Sequence, residues 1–197
     1  MNLIAPADER IDALHAAHDA ARSLVPDGVG LVGYGFAELL DGDGKTKLLV
    51  PFHNLITDAG DLYYAGKMIV GIAPASPSAP TAANGMKLGT GSTAVAKSGA
   101  GGALVTYLTA SNVAFDSSYP QTANLGAGLG VNAVYKTTWA AGVATNSAIT
   151  EVAIVNDQAT NATSTAANTY SRALITSVNK TASDSLAITW NHKALGA

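Results

Sequence analysis

Cysteine is absent from all 197 residues, which excludes a disulfide framework, a thiolate metal site and a cysteine nucleophile. Charge is scarce too. Asp, Glu, Lys and Arg together make up 13% of the chain, about half the roughly 25% usual for a globular domain. Net charge is −3 and the basic residues are scattered, Lys45 and Lys47 flanking a turn. The convergent cations that a phosphate backbone demands are therefore missing, and no direct nucleic-acid contact is expected. No apolar run approaches the ~18 residues of a membrane span. Met1-Asn2-Leu3-Ile4 lacks the cationic start and apolar stretch of a signal peptide. Neither a membrane partner nor secretion is expected.

What the chain has instead is Ala, Thr, Ser, Gly and Asn. A surface of that kind suits permanent packing against neighbours. The length fits one domain with an arm, read as an N-terminal helical arm over 1–27 and a β-domain over 28–197. In the arm, Ile11, Leu14, His18, Ala21 and Val25 recur at three- and four-residue spacing over 7–25, and Pro26-Asp27-Gly28 stops the helix. The stripe is thin, so the helix is expected to dock on another surface.

Strict alternation then predicts strands. Residues 29–40 place Val32, Tyr34, Phe36 and Glu38 on one face and Leu31, Gly33, Gly35, Ala37 and Leu39 on the other. Asp41-Gly42-Asp43-Gly44 makes a tight turn, and residues 45–52 return as the hairpin partner. The period changes at Asp58, where Leu62, Ala65 and Ile69 share a face and Asp58 or Asp61 can cap a short helix over 58–70. A Pro/Ala/Ser loop is expected over 71–85. Further strands are expected over 86–88, 103–110, 131–139, 148–156, 171–178 and 185–191. Short alternating strands at this spacing argue for a mainly β fold, an antiparallel, jelly-roll-like β-sandwich with the helical arm and one internal helix.

Reactive constellations fail one by one. Gly89-Thr90-Gly91-Ser92-Thr93 lacks the lysine of a phosphate loop. The run from Gly126 to Gly130 is followed by Val131 and a strand, against the dinucleotide pattern. Asp41 and Asp43 open like a calcium loop, but Lys45 and Phe52 stand at the fifth and twelfth positions, where oxygen ligands belong, and Thr46 at the sixth. His15 and His18 have only Asp19 nearby as a further metal ligand. His53 and His192 accompany no nucleophile motif. Glu38 and Glu151 read as solvated or interface strand residues. Trp139, Trp190, Tyr107, Tyr135 and Tyr170 could build a sugar-binding surface, although aromatics on alternating strands are more often anchors. No catalytic, cofactor-binding or metal residue emerges and no cofactor is implied. Ile11, Leu14, Tyr34, Phe36, Trp139 and Trp190 stand as candidate assembly or core anchors.

Four motifs occur in a fixed order: Asn54-Leu55-Ile56-Thr57-Asp58-Ala59-Gly60, Leu88-Gly89-Thr90-Gly91, Ile149-Thr150-Glu151-Val152-Ala153-Ile154, and Asp184 leading through Leu186 and Ile188 to Trp190. Arg172 before Ala173-Leu174-Ile175 fits the same pattern. The chain from about Gly33 onward thereby resembles bacteriophage virion structural proteins of the minor-tail, collar or capsid-decoration type. The resemblance implies a non-enzymatic β-sandwich, made in the host bacterial cytoplasm and resident in the virion. Its partners would be copies of itself, with a trimer expected in a decoration role, and other virion proteins such as major capsid or tail proteins. The alternative is a receptor- or glycan-binding module at a tail tip, which would require the aromatics on an exposed loop face.

Overall fold

A computed structural model describes residues 12–14, 16, 17, 20, 30–68, 83–124, 130–156, 159 and 164–195. Among the described residues nine strands form one antiparallel sheet: β1 (Gly30–Leu40), β2 (Thr46–Ile56), β3 (Ala83–Gly89), β4 (Val113–Ala114), β5 (Gln121–Asn124), β6 (Val131–Trp139), β7 (Asn146–Asn156), β8 (Thr169–Lys180) and β9 (Ser185–Leu195). Helix α1 (Asp58–Met68) follows β2. The hydrogen-bonded order is β4-β3-β7-β8-β2-β1-β9-β6-β5, curled into a half-barrel.

The curl has a definite hinge. Strand β2 pairs with β1 along its length, from Gly33↔Asn54 to Leu40↔Thr46. It meets β8 only at its end, through Leu55↔Arg172 and Ile56↔Ser171. At the far side, β4 pairs with β3, and the chain just beyond it reaches β6: the Asp116 amide donates to the Lys136 carbonyl at 2.8 Å. The Asp116 carboxylate accepts from the Thr138 amide and hydroxyl, each at 2.8 Å.

One core lies inside the curl, drawn from both ends of the sheet. It unites Leu39, Phe52, Trp139, Leu186, Ile188 and Trp190 with Met86, Leu88, Ile149, Val152 and Ile154. Each such side chain contributes on the order of 1.5–3 kcal/mol of burial, an upper figure because the unfolded chain is itself partly collapsed. Leu186, Ile188 and Trp190 are fully buried, as the alternation of their strand requires. Gly35 lies between Trp190 and Phe52 in register. A Cβ there would sit 2.7 Å from the Phe52 ring, so glycine lets the two rings meet edge to face at 5.1 Å.

Strand β7 is buried on both faces. Residues 151–156 are all buried, because a segment after β3 folds over its outer side and packs Leu104 and Tyr107 against Ala153 and Val155. That segment corrects the strand expected over 103–110. Only an isolated bridge, Gly89↔Tyr107, forms there, because the Val105 and Thr106 amides bond to a side chain, Glu151, in place of a strand. The sequence reading also missed β4, only two residues long, and β5, which is short and polar, and it ended β2 four residues early. Residues 83–85, expected in a loop, belong to β3. The cap of α1 is Thr57, whose Oγ1 accepts from the Gly60 amide at 3.1 Å; Asp58 is already helical and Asp61 sits in the first turn.

Of the arm, residues 12–14, 16, 17 and 20 are helical. The remainder of 1–27, with Ile11, His15 and His18, lies outside the described residues, as do 69–82 and 125–129.

Candidate functional site

The most concentrated chemistry lies on the outer face of β7 and β8. Glu151 and Arg172 come from adjacent strands and both side chains have 0% exposure. Arg172 donates to Glu151 Oε2 from Nη2 at 2.6 Å and from Nε at 3.0 Å. The carboxylate also accepts from the amides of Gly91 at 2.9 Å, Thr106 at 2.8 Å and Val105 at 3.1 Å. Arg172 Nη1 turns to the carbonyls of Thr93 at 2.9 Å and Gly101 at 3.3 Å. A buried ion pair survives only when its other lone pairs and protons are satisfied, and here backbone does that. In return, the pair fixes the segment 91–106 over β7.

Gly89 and Gly91 are part of that arrangement. A Cβ at either would lie 2.5 Å from Glu151 Oε1, so the Leu-Gly-Thr-Gly motif clears room for a carboxylate. The superficial phosphate loop is thereby explained, since its Gly91 amide already binds an internal anion. Lys87 is buried on the neighbouring strand with its ammonium 4.9 Å from the Tyr107 ring centroid, and burial lowers its pKa.

A second cluster lies on the inner face under α1. Asn54 Oδ1 accepts from Trp190 Nε1 at 2.7 Å, and its amide nitrogen donates to Ser171 Oγ. From α1, the Tyr64 hydroxyl bonds both His192 Nδ1 and the Tyr135 hydroxyl, the latter at 2.8 Å. Tyr63 packs against Tyr170 at 4.8 Å. Burial drives the His192 pKa down to about 3. Burial also pushes Tyr135 up to about 12 and raises Tyr64 further.

A third cluster closes the β8–β9 turn. The Asp184 carboxylate accepts from Lys47 Nζ at 2.9 and 3.0 Å and from the Thr181 amide and hydroxyl at 2.8 and 2.7 Å. Those bonds, the Lys47 one foremost, hold its pKa down at about 2. Buried Lys180 donates to the Ala140 and Asp184 carbonyls at 3.0 and 2.7 Å.

Of the residues nominated from sequence, Trp139 and Trp190 share one core, both with no exposure. Tyr34 is buried on the opposite face of β1, where its hydroxyl accepts from Asn132 at 3.0 Å. Phe36 and Leu14 are half-buried. Glu151, read as a solvated or interface residue, is instead the centre of the buried network, and Glu38 is buried as well, accepting from Thr46 Oγ1 at 2.6 Å. The signal for Glu151 was present: it is the only charged residue in β7, and a lone acid in an apolar strand requires a base. Asp41 does not await calcium, since its Oδ1 accepts from the amides of Asp43 and Lys45. Among the described residues no group of three metal-ligating side chains occurs, and no helix is long and apolar enough to cross a membrane.

No protein-family description, curated protein or solved structure matches this chain.

Proposed function

We propose that this protein is a non-enzymatic structural component of a bacteriophage virion, a capsid-decoration, minor-tail or collar protein acting through self-association and contacts with other virion proteins. One observation carries the reading. The motifs on which the resemblance rests, far apart in sequence, bind one another: Gly91 and Arg172 hold Glu151, and Asn54 holds Trp190. The signature is therefore a framework, and its charged groups are consumed in building it. Glu151, with five donors around it, has no capacity left for acid–base work.

In this reading the curled sheet serves as an antiparallel, jelly-roll-like sandwich. Its layers are β2-β1-β9-β6-β5 and β4-β3-β7-β8, and the single core shared by both supports that description. The burial of Trp139, Trp190, Tyr34, Tyr135 and Tyr170 favours the scaffold over a glycan-binding tail-tip module, which needs exposed rings. Low charge, with the short strands β4 and β5 at the two ends of the strand order, suits coverage by symmetry mates.

Light scattering at high micromolar concentration tests self-association. A cyclic oligomer, a trimer in a decoration role, is the expected result; a stable monomer counts against the reading. A glycan array showing specific binding would replace it with the tail-tip alternative.

A further inference from the structure

We propose that Tyr64 and His192 form an acid-released latch that holds α1 against the inner face of β6 and β9. The helix has two kinds of attachment. At its start the ties are to backbone and to β8: the Thr57 amide donates to the Tyr170 carbonyl at 3.0 Å, the Asp58 amide to the Lys97 carbonyl at 2.9 Å, and Thr57 Oγ1 to the Thr169 carbonyl. Nearly two turns further on, Tyr64 makes a polar tie to β9 and β6, through its hydroxyl to His192 Nδ1 and Tyr135.

A neutral imidazole carries one N–H, so Nδ1 either accepts from the Tyr64 hydroxyl or donates to it. Nε2 is buried and has no hydrogen-bond partner among the described residues. Adding a proton makes both ring nitrogens donors. Nδ1 must then donate to the Tyr64 oxygen, and Nε2 carries an N–H with no acceptor among the described residues. A buried cation results.

Among the described residues no carboxylate is found against the ring. From α1 the Tyr64 ring and from β6 the Tyr135 ring stand beside it, with centroids 5.6 and 5.1 Å away. Trp190 lies beside His192 on β9, with ring centroids 6.1 Å apart, and Gly33 of β1 offers no side chain. The acids of the helix, Asp58 and Asp61, are exposed, and Asp61 pairs with Lys97. Burial is accordingly what sets the titration of His192. Lifting α1 lets the imidazole take up its proton in water, at the ordinary value of 6.5. Opening is thus coupled to one proton, and it separates Tyr64 from His192 and Tyr135. The latch is a property of the fold and stands independently of any role in a virion.

Hydrogen exchange of the whole protein between pH 7 and pH 4, corrected for intrinsic rates, tests it. Protection of the 58–68 amides is expected to fall by up to about tenfold per pH unit below 6.5, while residues 149–156 of β7 stay protected. His192→Asn should flatten that dependence. Tyr64→Phe, which leaves the histidine in place, should lower helix protection at pH 7 by about tenfold and keep the slope. A pH-independent helix in the native chain, an unchanged slope in His192→Asn, or unchanged protection in Tyr64→Phe would each overturn the latch. Should His192→Asn not fold, the native slope and the Tyr64→Phe result decide.

Discussion

Arg172 and Glu151 meet at 2.6 Å with neither side chain exposed, and between them they fasten a segment that has almost no regular structure of its own. Breaking the pair from one side leaves a buried charge alone. Glu151→Ala or Arg172→Ala should therefore cost about 3–5 kcal/mol, read as a lower urea midpoint. The double replacement Glu151→Leu with Arg172→Met should recover part of that loss. Recovery of the global midpoint should not restore order to 91–106, because the carboxylate also holds three amides there. Hydrogen exchange of that segment separates the two effects.

Gly91→Ala places a Cβ 2.5 Å from the Glu151 carboxylate. Overpacking of this kind costs about 1–3 kcal/mol. Paired with Glu151→Ala, the same substitution should cost much less than it does alone. A double-mutant cycle reads the difference.

Asn54→Leu removes the acceptor of Trp190 Nε1, whose indole has no exposure. An unmatched buried N–H costs about 1–3 kcal/mol, measurable by denaturation. Adding Trp190→Phe removes the orphaned donor but opens space, so it should restore only the hydrogen-bond part of the loss.

Acid should act through Asp184 in a defined window. Its pKa is about 2 in the folded chain against an ordinary 3.8. The carboxylate therefore stabilises the fold fully above 3.8, and the stabilisation is lost as pH falls through 2. Asp184→Asn should be less stable than the native chain at pH 7, and the gap should close between pH 4 and 2. His192 works in a higher window: its folded value of about 3 lies below the ordinary 6.5, so stability starts to fall once pH drops below 6.5. Thermal melts across pH 2–7 of the two variants separate these contributions.

How far the fold could be read from sequence depended on what each residue bonds to. The β1–β2 hairpin was legible because alternation and the Asp41 turn agree, and β6, β7, β8 and β9 were legible from their apolar period. The segment 103–110 reads as a strand, yet Val105 and Thr106 give their amides to a side chain 46 and 45 residues away, which no local pattern reports. The short strands β4 and β5 are held by β3 and β6 and carry little preference of their own. Of the clusters, Glu151–Arg172 was foreshadowed by one acid and one base inside apolar strands. The Tyr64–His192 tie was not, because it joins a helix to a strand 128 residues on.

Imaging of virus particles produced from a genome that carries this gene tests the central claim most directly. The prediction is that density for this chain lies on the particle in symmetry-related copies that touch one another and a capsid or tail protein, with Glu151 and Arg172 internal to each copy. Absence of the chain from purified particles would contradict it.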